Sequence, residues 1–248
     1  MKRVLKYFGM ALAVLLALGL MRVGQAQMAV DWRTASREPA GLAPDPMVVR
    51  DAVVQVYAAR AWGWKGHFGV HTWIAAKRTN ASAYTVYEVI GWRTYRGLSA
   101  VAIGARAPDT RWFGNLPVVV ADQRSPGVDG MIDRIEAAAG SYPFANSYQV
   151  WPGPNSNTFV AHVARAVPEL RVDLPPTAIG KDFLTNGNII AKTPSGTGVR
   201  VSLFGLLGVM VGVEEGIEIN ILGLTFGIDP LDLAIKLPLV GRLGGEPG

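Results

Sequence analysis

The sequence predicts an α+β fold: an antiparallel sheet with two main helices on one side, followed by a glycine-rich C-terminal β-hairpin. Three observations lead there. Segments with period-two apolar patterning recur between loops that hold Gly and Asn. Two later segments repeat their apolar residues at helical spacing. A third region, rich in Val, Ile, Leu and Gly, carries the strand-like alternation Ile217-Glu218-Ile219-Asn220-Ile221.

Taken in order, Val53 to Ala59 is β-branched and aromatic, while Phe68 to Ala75 and Tyr84 to Trp92 alternate. Their spacing predicts a meander, extended by short strands at Ala100 to Ile103 and Leu116 to Val120. Met131, Ile132, Ile135 and Ala139 mark a helix that stops at Gly140. Phe159, Val163 and Val167, four apart, mark a second helix from near Ser156, with Pro168 as its stop. The uncharged run Leu203 to Val213 is 11 residues, too short to span a bilayer.

Of the 248 residues, half are hydrophobic, 17% are charged and none is Cys. These values exclude a disordered chain, a disulfide framework, a thiolate metal site and a cysteine nucleophile. The net charge of +5 is local: setting aside Lys2, Arg3, Lys6 and Arg22 leaves 20 basic residues against 19 acidic ones. No basic run interleaved with aromatics follows, so no nucleic acid partner is expected. The basic MKRVLK, the 15-residue apolar stretch Tyr7 to Met21 and the small residues at Gly24-Gln25-Ala26 together read as an export signal or an N-terminal anchor. The domain plan is 1–26 signal peptide or anchor, 27–46 linker, 47–185 core domain and 186–248 C-terminal hairpin extension. The expected location is the cell envelope, periplasmic or held to the inner membrane by the N-terminus.

A chemical site is suggested by two stretches. His71 lies in an alternating strand, and Glu88 lies in the next one. Trp151-Pro152-Gly153-Pro154-Asn155-Ser156-Asn157-Thr158-Phe159 leads into a helix, whose unpaired N–H groups would suit an oxyanion. Ser156 as nucleophile, His71 as base and Glu88 as the group fixing the imidazole would make a serine-dependent amide or ester hydrolase. Trp73, Asn155, Asn157 and Thr158 would then contact the ligand. The same residues also read without chemistry: Asn155 and Ser156 as helix caps, His71 as a core histidine and Glu88 as a solvated strand residue. His67 and His71 share a strand face but have no clear third ligand, so no metal and no cofactor is predicted.

The motifs VQVYAARAW, GVHTWIA, YEVIGW, WPGPNSNTF and LPPTAIGKDF resemble those of an uncharacterised bacterial family, domain of unknown function 3750, from about Asp45 to Arg242. That resemblance implies no activity. A remoter one is to the permuted papain-like peptidases of the NlpC and desumoylating types, where a strand histidine precedes a cysteine at a helix start. It implies that His71 matches the base and that Ser156 stands at the cysteine position. A serine there needs a well-aligned base, which leaves a hydrolase or a relic that binds without cleaving. The alternative is a non-catalytic binding or membrane-associated structural module using the same cleft. Expected partners are an envelope small molecule, peptide or lipid, with a membrane-surface contact.

Overall fold

The structure, a computed structural model, describes residues 31–124 and 126–245. The signal or anchor expected at 1–26 lies outside the described residues. The first unit is a five-stranded antiparallel sheet of β1 (Val53–Arg60), β2 (Val70–Lys77), β3 (Thr85–Val89), β4 (Val101–Ala105) and β5 (Val118–Gln123), in the order β4-β3-β2-β1-β5. Helices α1 (Val128–Gly140) and α2 (Ser156–Ala166) follow.

Strand alternation sorts this sheet into two faces. In the unbroken β1–β2 ladder Val56 opposes Ile74, and Tyr57 opposes Trp73. Val54, Val56, Ile74 and Ala76 pack under the helices with Ile132, Ile135, Phe159 and Val163. Full burial of each larger aliphatic side chain there contributes roughly 1.5–3 kcal/mol. Val53, Tyr57, Trp73, Ala75 and Val86 form a second core on the far face, covered by Ala43, Val49 and Trp112. That cover corrects the linker: Asp109 accepts from the backbone of Leu42 at 2.6 Å, and the Tyr84 hydroxyl donates to Pro44 O at 3.0 Å. Residues 39–46 are therefore docked on the domain, because their prolines and small residues lie flat over an apolar face.

The C-terminal region is larger than the hairpin expected from sequence. It is a seven-stranded antiparallel meander of β6 (Ile190–Lys192), β7 (Val199–Leu203), β8 (Leu207–Gly212), β9 (Gly216–Ile221), β10 (Leu224–Asp229), β11 (Ala234–Leu237) and β12 (Gly241–Leu243). Turns of two to four residues join β7 through β12. β7 and β9 alternate cleanly with polar residues. In β8 the inward positions are Gly208, Met210 and Gly212, which hides the period.

The meander is held by its polar face. Residues 173–182 of the first unit lie against it, and a buried ionic ladder joins them. Lys181 reaches Glu218 at 2.7 Å, and Lys236 reaches both Asp173 at 2.7 Å and Glu218 at 3.0 Å. Arg200 meets Asp182 at 3.1 Å, and Arg242 meets Asp173 at 2.9 Å. Each charge of this ladder is matched at close range, as desolvation requires. Among the described residues no helix is long and apolar enough to cross a membrane.

Candidate functional site

The structure brings His71 and Glu88 together and separates both from Ser156. His71 Nε2 lies 3.1 Å from Glu88 Oε2, and Glu88 Oε1 lies 3.1 Å from Arg106 Nη2. All three sit on the far face of the first sheet, with Trp73. Burial holds the imidazole below its ordinary pKa, with the Glu88 hydrogen bond working against that. His71 is therefore neutral, and its Nε2–H donates to the carboxylate. Burial would raise the Glu88 pKa, but His71 and Arg106 bring it below the ordinary carboxylate value.

Rings enclose this triad. Trp112 stacks on His71 at 3.6 Å between centroids, and Trp92 stacks on Trp112 at 5.8 Å. Inward, His71 lies 5.7 Å from Trp73, which stacks on Tyr57 at 5.5 Å. The pile runs from half-exposed Trp92 to fully buried Tyr57. The Arg106 guanidinium lies 5.8 Å from the Trp73 ring and donates through Nη1 to Ala107 O at 3.2 Å.

Ser156 begins α2 on the opposite face. The Thr72 hydroxyl donates to Ser156 O at 3.3 Å and to Asn157 Oδ1 at 2.9 Å. Thr72 is the next residue after His71 in a regular strand, so the two side chains leave the sheet on opposite sides. The β2 backbone stands between nucleophile and base, and no rotamer change brings them to the ~2.6–3.2 Å that proton transfer needs. The expected Ser156–His71 pair is therefore corrected, and with it the match to the papain-like arrangement.

The other expected ligand contacts also have internal partners. Asn155 is the helix cap: its Oδ1 accepts from the backbone N–H groups of Asn157 at 2.9 Å and Thr158 at 3.2 Å. Thr158 Oγ1 accepts from Asn155 N at 3.2 Å, closing a capping box. Gly180 at φ +98° passes so close that a Cβ would fall 2.5 Å from the Asn155 amide. Asn157 donates to Ile179 O at 2.8 Å, and Trp73 donates to Pro108 O at 2.7 Å.

A cleft of about 480 Å³ lies between residues 39–46 and the segments 83–84 and 105–109, which lead into β3 and out of β4. Pro39, Pro44, Pro46, Pro108 and Tyr84 supply apolar walls, and Arg106 borders it. Asp109 also borders it, but its carboxylate is taken by Leu42 and Ala43 N–H groups. The sequence reading missed Arg106 and Trp112. Their link to the site depends on the β3–β4 register, in which Glu88 opposes Ala102, and no residue spacing announces that register.

The family described as "Protein of unknown function (DUF3750)" matches residues 51–183, which cover the five-stranded sheet and both helices but stop short of the meander. No curated protein and no solved structure matches the chain. With its model matching more than half of the 248 residues, the chain belongs to this family of unknown function.

Proposed function

We propose that the protein is a non-catalytic binding module of the cell envelope, taking a small apolar molecule with an acidic group in the cleft beside Arg106. The carrying observation is that Arg106 borders an otherwise mainly apolar cleft while Glu88 and His71 fix it from behind. A volume of about 480 Å³ falls in the range of small-molecule sites, ~300–1,000 Å³. Arg106 uses one Nη for Ala107 O and the other for Glu88, and retains further N–H groups for a carboxylate or phosphate oxygen. The envelope location rests on the basic and apolar pattern of residues 1–26.

Dodecanoate is a suitable probe. It raises the melting temperature of the wild-type protein by mass action, and Arg106→Gln abolishes that rise while keeping the cleft walls. An equal rise in both proteins would remove Arg106 from the site. No rise in either would overturn the reading.

A further inference from the structure

The meander is built inside out. Its domain-facing side carries Arg200, Glu218, Asn220, Lys236 and Arg242, whereas its outer side is aliphatic across all seven strands. The pairings give one continuous row, Lys192–Val199–Val211–Ile217–Ile228–Ile235–Leu243. A parallel row runs Ile190–Val201–Val209–Ile219–Phe226, and a third runs Leu203–Leu207–Ile221–Leu224. Thirteen of these aliphatic residues are 42–57% exposed, and Lys192, on the short edge strand, is the single charge in the three rows. Seven strands at ~4.8 Å by up to six residues at ~3.3 Å give a face of about 29 by 20 Å, roughly 600 Å². That reaches the upper end of the largest apolar patch on an ordinary monomer, ~300–600 Å².

The apolar surface continues past the strands. Alternation of the meander puts the turns 204–206, 222–223 and 238–240 at one end. There Phe204 is 76% and Leu222 58% exposed, and half-exposed Trp151 donates to Leu222 O at 2.9 Å. The N-terminal part of the described chain reaches the same end. Gly114 N donates to Ser36 O, Asn115 Nδ2 donates to Arg60 O, and Arg60 Nη2 donates to Leu239 O at 3.1 Å. From Met21, the last residue of the apolar N-terminal stretch, the nine residues 22–30 extend at most ~32 Å. A chain whose apolar stretch sits in a membrane thus holds Asp31, where the segment that leads to this end of the sheet begins, within that distance of the lipid.

We propose that the outer face of the meander lies on a phospholipid bilayer, its side chains among the upper acyl groups and its backbone at headgroup level. A flat second copy would cover the three rows but leave Phe204 and Leu222 in water at the turn tips. The apolar N-terminal stretch, as a helix of about 22 by 10 Å, would cover about a third of the face. A bilayer accepts both face and tips. Trp151 at the rim has the amphipathic character that favours the interface, and Lys192 can extend its ammonium to lipid phosphates. Shallow seating also leaves the open edges of β6 and β12 where water can satisfy them, as an unclosed sheet requires. The ionic ladder fixes which side faces the lipid: turning the sheet over would expose buried charges on one side and apolar rows on the other.

The chain has no cysteine, so single-site labelling of the full-length protein is clean. Spin labels are placed by Ile219→Cys and Val209→Cys at the centre of the face, and by Tyr95→Cys, 89% exposed on the first unit. The protein is bound to vesicles of phosphatidylethanolamine with a minority of phosphatidylglycerol. The labels at 219 and 209 should be at least about tenfold less accessible to a water-soluble nickel chelate than the label at 95, while remaining accessible to oxygen. Matching chelate access at 219 and 95, or no vesicle binding, would overturn the proposal. Shielding from both reagents with spin–spin broadening between copies would also overturn it and assign the face to a second copy. Circular dichroism of each labelled variant identifies any that has failed to fold, and Val201→Cys, on the same row, then replaces it.

Discussion

The hydroxyl of Thr72 donates to the carbonyl of Ser156, so the start of α2 is pinned to β2 from the helical side of the sheet. His71, one residue earlier, faces the opposite core. The local sequence looks catalytic because it places a serine at a helix start and a histidine in a strand. One step of strand alternation separates them.

This relationship predicts different outcomes at neighbouring residues. Asn155→Ala removes the cap acceptor and the two amide bonds to Val150 O and Ile179 O, and should destabilise the protein by about 2–4 kcal/mol. Ser156→Ala should change stability by less than about 1 kcal/mol, and a serine-directed phosphonylating probe should label neither wild type nor variant. Urea unfolding and intact-mass measurement check both.

His71 gives the protein a pH signature. Its pKa is lowered in the fold, so the unfolded chain takes up a proton near pH 6.5 while the folded one does not. Stability should therefore fall as pH drops from about 6.5 toward the lower folded value. His71→Asn should flatten that slope relative to wild type, measured by urea midpoints across the range.

Lys236 is the shared cation of Asp173 and Glu218, which lie in the same buried ladder. Lys236→Met should cost about 3–5 kcal/mol at neutral pH, because it removes the cation that the two buried carboxylates share and leaves Asp173 with Arg242 alone and Glu218 with Lys181 alone. Burial already pushes Asp173 up to about 6, against the pull of Lys236. Without that pull the Asp173 carboxyl rises further, so the variant should recover part of its loss relative to wild type as pH falls toward 6 and Asp173 takes up a proton. Comparing denaturation at pH 7.5 and pH 5.5, a choice set by that shift, is the check.

Arg165 predicts the opposite sign. Its Nη1 and Nη2 are buried without partners, and burial, with Arg200 nearby, lowers its pKa to about 9. Arg165→Met should therefore raise stability by about 1–3 kcal/mol, read as a higher melting temperature.

Much of the first unit was legible because its core is sorted by simple periods. Val54, Val56, Ile74, Ile135 and Phe159 all sit where strand or helix spacing puts them. The meander was less legible: β9 and β7 alternate with polar residues, but β8, between them, has glycines and Met210 in place of the polar half of the pattern. The partnership of Arg106 with Glu88 was not legible. It depends on a register between β3 and β4 that backbone pairing sets, and on a docked segment, 39–46, whose prolines read as a linker.

The inward-facing charges also constrain the order in which the chain can fold. Pairing within the meander is between sequence neighbours and closes short loops, so its strands can zip early. Its ionic side is satisfied only once Asp173, Lys181 and Asp182 have been carried into place by the first unit. Until then the nascent sheet is a ribbon of Val, Ile and Leu strands, a composition that invites edge-to-edge aggregation. The two outermost strands, β6 and β12, are only three residues long, and β6 ends in Lys192. Short charged margins of that kind leave little template for another chain to extend. The least protected moment in the life of this protein is thus its maturation, between synthesis of the meander and closure of the ladder.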